Sequence, residues 1–232
     1  MAELTLPSPL YALIYASLGG ILPALFWLWF WIQEDKLHPE PRKRILLTFW
    51  AGMAAVPLVY PLERWAVGHF GMGTATLVAW AFIEESAKLV MAWFFALRTR
   101  DYDEPIDAPE YLITVALGFA ALENTIFILG PLLDGHGLDG LATGNMRFIG
   151  ASLLHVVSSA VLGYCIGREF KQSPVAQDLW RFLGLGIAVA LHAVFNAFIL
   201  YDNGSRTFLV FGCVWAAVIG VLLLLEKLKK QT

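Results

Sequence analysis

Three ionisable side chains, Glu84, Glu85 and Lys88, lie in the middle of an apolar run that is long enough to cross a membrane. On insertion scales each charge at the centre of a membrane helix costs about 2.5–3.5 kcal/mol, so these three need partners or a purpose. In a helix, Lys88 lies one turn from both glutamates, and one ammonium group can therefore pair with two carboxylates. One negative charge is left over, and ionisable groups inside a membrane are functional by default.

A third glutamate and two histidines lie in three other apolar runs. Glu123, His155 and His192 are each about eight to ten residues from one end of their runs, and Glu84 is about eleven residues from the matching end of its own. At 1.5 Å per residue, all four lie about 12–17 Å below the same membrane surface. We therefore expect four different helices to bring two carboxylates and two imidazoles to one depth.

The charge balance of this group indicates a hydrolytic or metal site. Three carboxylates and one lysine leave two negative charges, which a divalent cation would neutralise. Neutral imidazole together with carboxylate suits zinc, and catalytic zinc sites use three protein ligands and leave the fourth position to water. A carboxylate outside the ligand set is then free to act as a general base.

The composition places these residues in a membrane protein. The 232 residues are 58% hydrophobic and 15% charged, with a mean hydropathy of +0.65, which is too apolar for a soluble domain. The net charge of −3 gives no reason to expect nucleic acid as a partner; the expected surroundings are a lipid bilayer. Apolar runs near the length that crosses a bilayer occur at residues 10–32, 45–62, 73–97, 109–133, 147–167, 179–200 and 206–225. They predict an all-α, polytopic membrane bundle of about seven transmembrane helices, in a single domain over residues 1–232.

Basic residues are distributed unevenly between the two sides of this bundle. Twelve Lys and Arg residues lie on the side that contains the C-terminus, and three, Arg64, Arg147 and Arg206, lie on the other. Because cytoplasmic loops carry the excess of basic residues, we expect the N-terminus outside and the C-terminus in the cytoplasm. The first run lacks a preceding basic segment and a small-residue cleavage site, so it is expected to be a retained helix and not a signal peptide.

The order and spacing of the polar residues resemble those of a known family. Glu84-Glu85-Ser86-Ala87-Lys88 resembles the EExxK motif of the PrsW family of intramembrane proteases, and Phe119-Ala120-Ala121-Leu122-Glu123-Asn124 resembles its FxxxEN motif. His155 and the segment His192-Ala193-Val194-Phe195-Asn196 are similar to its two histidine motifs, and Pro39-Glu40-Pro41 is similar to a segment that the family often carries. The resemblance covers roughly residues 30–200.

This resemblance implies an intramembrane endopeptidase in the cell membrane of a bacterium or archaeon. Its substrates would be single-pass membrane proteins, such as anti-sigma factors, cut at site 1. The depth of the candidate residues predicts a cut near the extracytoplasmic side. The family is grouped with the CAAX prenyl endopeptidases and Abi proteins, which carry a histidine where this chain has Glu123. Both a zinc-dependent mechanism and a metal-free one, in which glutamate and histidine activate water directly, are compatible with these residues.

The working hypothesis assigns a role to each polar residue. The possible general bases are Glu84 and Glu85, and the candidate metal ligands that hold the attacking water are Glu123, His155 and His192. Lys88 is expected to hold the paired carboxylates. Asn196, one helical turn outward of His192, is expected to donate a hydrogen bond to the oxyanion that forms at the scissile carbonyl.

Two other interpretations compete with this hypothesis. A proton- or ion-coupled transporter is the alternative function, because chains of Glu and His in membranes also relay protons. Broken helices and an internal repeat would favour transport, and neither is evident in the sequence. The outer loop Asp134–Gly140 has the residue types of a metal site, but its glycines are more typical of a flexible turn.

Overall fold

The computed structural model of this protein describes residues 8–33, 38–201 and 207–230, and all regular structure in these ranges is helical. The α-helices are α1 (Pro9–Trp31), α2 (Arg42–Phe70), α3 (Thr74–Ala92), α4 (Asp107–Leu133), α5 (Gly137–Met146), α6 (Ser152–Gly167), α7 (Pro174–Tyr201) and α8 (Thr207–Lys229). Two π-helical turns complete them: Trp93–Leu97 continues α3, and Arg147–Ala151 joins α5 to α6.

Seven helical segments of the described ranges have the length to cross a bilayer. Six are also apolar enough throughout: α1, α2, α4, the continuous segment Gly137–Gly167, α7 and α8. The seventh is α3, whose 19 residues are extended by the five of its π-helical turn and which carries Glu84, Glu85 and Lys88. The predicted polytopic bundle of seven helices is therefore confirmed for the described residues, while the orientation of its termini stays a prediction.

Helix α4 lies at the centre of the bundle and packs against α1, α2 and α6. Small residues permit the closest of these approaches: a Cβ atom at Gly52 would overlap the carbonyl group of Val115, and one at Gly118 would overlap that of Phe49. Close backbone approach at small residues is a main source of helix association in membranes, where the hydrophobic effect is missing between helices. Helix α3 then packs between α2 and α7, and α6 between α4, α7 and α8.

The predicted flexible turn over residues 134–140 is wrong for most of its length. Only Asp134, Gly135 and His136 form the turn, with Gly135 at a φ of +83°, and α5 begins at Gly137. Glycine weakens a helix in water by about 1 kcal/mol, but at membrane depth an unsatisfied backbone costs more, so glycine-rich segments stay helical there. The fifth crossing consequently begins at Gly137, before the predicted start at 147. We call this side of the bundle the Gly135 end.

At the opposite end, α2 and the loop before it are fastened to α4 and the loop before it. The hydroxyl group of Tyr111 donates to Glu40, and Arg44 pairs with Asp101 at 2.6 Å. Burial raises the pKa of Glu40 to about 8; the Tyr111 hydrogen bond opposes this shift and the neighbouring Asp107 adds to it. The side chain of Glu40, in the Pro39-Glu40-Pro41 segment, thus helps to hold this end of the bundle together.

Candidate active site

Lys88 is completely buried at the centre of a charged cluster between α3, α4, α6 and α7. Its Nζ lies 2.7 Å from Glu85 Oε1, 2.7 Å from His155 Nδ1 and 3.9 Å from Glu84 Oε2. The ring of Phe119 lies 4.7 Å from the same ammonium group. Helical spacing alone predicts that Lys88 contacts both glutamates, whereas in the folded chain Glu85 alone of the two lies within hydrogen-bond distance of its ammonium group.

Glu85 connects three helices through its carboxylate. Its Oε1 accepts hydrogen bonds from Lys88 on α3, from Ser158 on α6 at 3.1 Å and from His192 Nδ1 on α7 at 2.8 Å. Its Oε2 lies 3.5 Å from the hydroxyl group of Ser159. Because both oxygens are engaged and the side chain is fully buried, Glu85 is suited to orient Lys88 and His192 and has little capacity for a further proton.

Glu84 is the carboxylate with a free oxygen. Its buried Oε2 has no hydrogen-bond partner among the residues that the structure describes, and it lies 3.8 Å from His192 Nε2. In the neutral ring that nitrogen carries a lone pair, because the ring hydrogen sits on Nδ1 and is donated to Glu85. An unpartnered carboxylate oxygen inside a protein is costly, which indicates that a water molecule or a cation contacts Glu84.

Both ring nitrogens of His155 have partners. Since an ammonium group can only donate, Nδ1 accepts from Lys88, and the ring hydrogen is therefore on Nε2. Nε2 lies 3.0 Å from Glu123 Oε2 and donates to it. The ring of His155 meets the ring of His192 edge to face, with 5.1 Å between the centroids. Lys88 and Glu123 together thus determine the tautomer of His155.

Two residues outside the sequence-based assignment, Arg147 and Glu63, also belong to the cluster. Arg147 pairs with Glu123, and the carboxyl group of Glu63 on α2 lies close to that of Glu84. The predicted second run stopped at residue 62, immediately before Glu63, whereas α2 continues to Phe70. The sequence analysis counts Arg147 only as an outer charge. Its position eight residues before His155, in the same predicted helix, is the sequence signal that could have placed it near the site.

Asn196 is placed differently from the other predicted residues. It lies one turn beyond His192 on α7 and is half-buried. Within the described part of the chain it makes no hydrogen bond to the cluster, so its amide group is available to a ligand. Helices α3, α4, α6 and α7 bring the other six predicted residues together: Glu84, Glu85, Lys88, Glu123, His155 and His192.

A divalent cation fits part of this cluster. One ligand atom from each of Glu84, His155 and His192 lies within 4.8 Å of the other two. The free Glu84 oxygen and the free His192 nitrogen are ready to bind, and Glu85 orients the histidine from behind, as carboxylates do at zinc sites. His155 would first exchange one of its two partners. Glu123, which was expected to be a ligand, lies beside this group and pairs with Arg147 and His155.

The cluster lies nearer the Gly135 end of the bundle. Glu84 is ten residues from the start of α3, Glu123 is ten from the end of α4, and His192 is nine from the end of α7, so all three lie about 15 Å from that end. The side chains of Glu123 and Arg147 are 18% and 17% exposed, whereas that of Glu85 is completely buried. The cluster therefore opens on the side of Glu123 and Arg147.

Comparison with known proteins identifies the family that carries this site. A protein named Protease PrsW from Bacillus subtilis (strain 168) is 28% identical over 194 residues, which are 81% of this chain and 82% of that protein. A protein of the same name from Geobacillus kaustophilus (strain HTA426) is 27% identical over 190 residues, which are 78% of each chain. Another, from Halalkalibacterium halodurans, is 24% identical over 185 residues, which are 78% of this chain and 82% of that protein. No solved structure matches the chain.

These bacterial relatives and the helical bundle make the chain a multi-pass protein of the plasma membrane and an intramembrane protease. The family model described as PrsW family intramembrane metalloprotease matches residues 40–224, most of the chain. The chain belongs to the PrsW family of intramembrane proteases.

Proposed function

We propose that this protease hydrolyses a peptide bond of single-pass membrane proteins, such as anti-sigma factors, with Glu84 as its general base. The observation that carries the proposal is the buried Oε2 of Glu84, which lacks a hydrogen-bond partner among the described residues and lies 3.8 Å from His192 Nε2. A water molecule placed between these two atoms would be held by both of them.

The reaction then needs two proton transfers. Glu84 takes a proton from the water while the water oxygen attacks the scissile carbonyl carbon, and the resulting oxyanion accepts a hydrogen bond from the free amide group of Asn196. Glu84 returns the proton to the departing nitrogen as the carbon–nitrogen bond breaks. The products are a new carboxyl terminus and a new amine.

The surrounding residues hold the water and the base in place. Lys88 and Ser158 fix Glu85, and Glu85 fixes the ring of His192 so that its Nε2 lone pair is turned toward Glu84. A divalent cation such as zinc, held by Glu84, His155 and His192, would supply a Lewis acid that polarises water and the scissile carbonyl, and Glu84 would then bind the cation instead of serving as the free base.

The position of the cluster favours a cut near the extracytoplasmic surface. The site lies about 15 Å from the Gly135 end, which is the outer end in the predicted orientation. Water reaches this depth more easily than it crosses the inner half of the bilayer. A substrate helix also frays most readily at its boundary, where its backbone groups are least protected by their own hydrogen bonds.

The test is a cleavage assay with tagged single-pass proteins co-expressed with the protease. Wild-type protein should yield products whose new termini, read by mass spectrometry, map to the outer juxtamembrane residues or first helical turns. Glu84→Gln should lower the rate by about 10²–10⁴-fold, whereas Glu226→Gln, on the exposed side of α8, is the matched control and should cleave normally. A cut in the cytoplasmic half of the substrate would refute the placement, and full activity of Glu84→Gln would refute the base.

Elemental analysis of the purified protein tests the metal separately. We expect about one equivalent of zinc or a related divalent metal, lost in His192→Asn and removed by chelators together with activity. Full activity of metal-free protein would instead support direct activation of water by Glu84 and His192.

A further inference from the structure

Arg147 is the first residue of the π-helical turn between α5 and α6. It precedes His155 by eight residues, which in a regular α-helix would place the two side chains about 80° apart around the axis. A π-helical turn holds about one residue more, so over five residues it rotates them back by about 90°. The turn therefore brings Arg147 and His155 to the same side of one continuous helix.

Both side chains converge on a single oxygen atom. Arg147 Nη2 donates to Glu123 Oε2, and His155 Nε2 lies 3.0 Å from the same atom. The guanidinium group has two more contacts on α4: its Nε donates to Asn124 Oδ1 at 2.5 Å, and its carbon lies 4.0 Å from the ring centre of Phe127. Arg147 is thus held against one face of α4 by three separate contacts.

Neighbouring contacts fix the π-helical turn itself. The amide group of Asn124 donates to the hydroxyl group of Ser152 at 2.9 Å, directly after the turn. Gly150, inside the turn, leaves room for the ring of Phe211 on α8, which a Cβ atom would overlap. The place of Arg147 beside Glu123 is therefore set by packing from α4 on one side and α8 on the other.

We propose that Arg147 is a positioning residue of the proteolytic reaction, which fixes the Glu123 carboxylate so that it accepts the Nε2 hydrogen of His155. The inference rests on the proposed function. Arg147 itself touches neither Glu84 nor the water site and acts through Glu123.

The effect reaches the water site through a chain of hydrogen bonds. With its hydrogen held on Nε2 by Glu123, His155 presents Nδ1 to Lys88, and Lys88 contacts Glu85. Glu85 in turn orients His192, whose Nε2 lies beside Glu84. Without Arg147 the Glu123 carboxylate can turn away, and each later member of the chain loses its fixed donor or acceptor.

Kinetics of Arg147→Gln test this role. Loss of a residue that orients an active-site histidine typically lowers activity by about 10–100-fold, and we expect that fall in kcat with KM changed by less than about threefold. Arg64→Gln removes an exposed arginine predicted on the same side, which packs over Tyr60, and should match wild type. Addition of guanidinium ion to Arg147→Ala should restore part of the activity, because the vacated space beside Glu123 accepts it.

A double-mutant cycle shows whether the effect passes through Glu123. In the Glu123→Gln background, changing Arg147 to Gln should cause little further loss of activity. Wild-type kcat in Arg147→Gln would overturn the proposal. So would a loss that is equally large in both backgrounds, follows the melting temperature and is not rescued by guanidinium, since that pattern belongs to a structural role alone.

A measurement without substrate separates this inference from the proposed function. Nitrogen-15 NMR of labelled histidine, with the His155 signal identified by its absence in His155→Asn, reports which ring nitrogen carries the hydrogen. We expect the Nε2–H form in the wild type and a mixture of forms in Arg147→Gln. An unchanged His155 spectrum in Arg147→Gln would overturn the inference even if the protein cleaves its substrate as proposed, whereas failure to cleave any substrate would refute the proposed function alone.

Discussion

Glu84 and Glu85 are neighbours in the sequence, but their surroundings predict that the same substitution affects the stability of the fold differently at the two positions. Glu84→Gln should lower the cleavage rate by about 10²–10⁴-fold and leave the folded protein as stable as the wild type or more so, because it removes a buried charge whose Oε2 has no hydrogen-bond partner among the described residues and only a distant ion pair with Lys88, at 3.9 Å. Glu85→Gln should impair both cleavage and folding, because Glu85 accepts hydrogen bonds from Lys88, Ser158 and His192.

The contacts of Glu85 set the size of the expected effect. Glutamine keeps the shape of the side chain, but it removes the charge that Lys88 faces at 2.7 Å and replaces one acceptor oxygen with a donor. Breaking a buried ion pair costs about 3–5 kcal/mol, and the retained shape favours the lower limit of about 3 kcal/mol. For a chain of this length, 1 kcal/mol changes the melting temperature by about 2–4 °C, so Glu85→Gln should melt about 6–12 °C lower.

The assay compares wild type, Glu84→Gln and Glu85→Gln purified in the same detergent. Thermal melting gives the stability difference, and mass spectrometry of a co-purified single-pass substrate gives the cleavage rate. Equal melting temperatures for the two variants would refute the argument that Glu85 bears the structural contacts. Native cleavage by Glu84→Gln would refute the choice of Glu84 as base, whatever its stability.

Three further predictions concern the fold. Reporter fusions after Asp103 and at the C-terminus should read cytoplasmic and a fusion after Gly135 external, since twelve of the basic residues lie on the C-terminal side; the reverse pattern would contradict the orientation. Burial raises the pKa of Glu40 from 4.5 to about 8, so the folded state holds this proton more tightly than the unfolded state. The resulting stabilisation is present at low pH and is lost as the pH rises through 8, so the melting temperature should decline with rising pH. Glu40→Gln should flatten that decline, and an unchanged pH profile in the variant would contradict the prediction. Gly118→Ala should destabilise the protein by about 1–3 kcal/mol, because its Cβ overlaps the Phe49 carbonyl group, whereas Gly130→Ala in the same helix has open space and should melt like the wild type.

Much of the fold could be predicted from the lengths of the apolar runs. Seven runs predicted seven crossings, and each observed crossing overlaps its predicted run. The ends were less accurate where polar residues enter a helix: α2 continues past Glu63 and Arg64 to Phe70. The glycines of α5 misled the prediction for a related reason, since turn propensities measured in water do not apply where the bilayer leaves no partner for a free backbone group.

Which residues share the site was partly accessible from the sequence. The cost of burying Glu84, Glu85 and Lys88 made α3 a functional helix, and equal depth selected Glu123 and the two histidines on three other helices. Depth, however, is only one coordinate of a side chain. The rotation of each helix about its axis decides which residues at a given depth meet, and that rotation follows from packing at sites such as Gly52 and Gly118.

The sequence by itself determined that the chain is a bundle of membrane helices, that Lys88 lies one turn from two carboxylates, and that the family motifs occur in order along it. These properties depend on composition and on local helical spacing, which every segment carries within itself. Only the tertiary structure decided that the oxygens of Glu85 are occupied by hydrogen bonds while Oε2 of Glu84 has no hydrogen-bond partner among the described residues. The residues that distinguish the two carboxylates, Ser158 and His192, lie on α6 and α7. Only it placed Arg147 beside Glu123, because a π-helical turn shifts the rotation of that residue and residue spacing in the sequence does not record the turn.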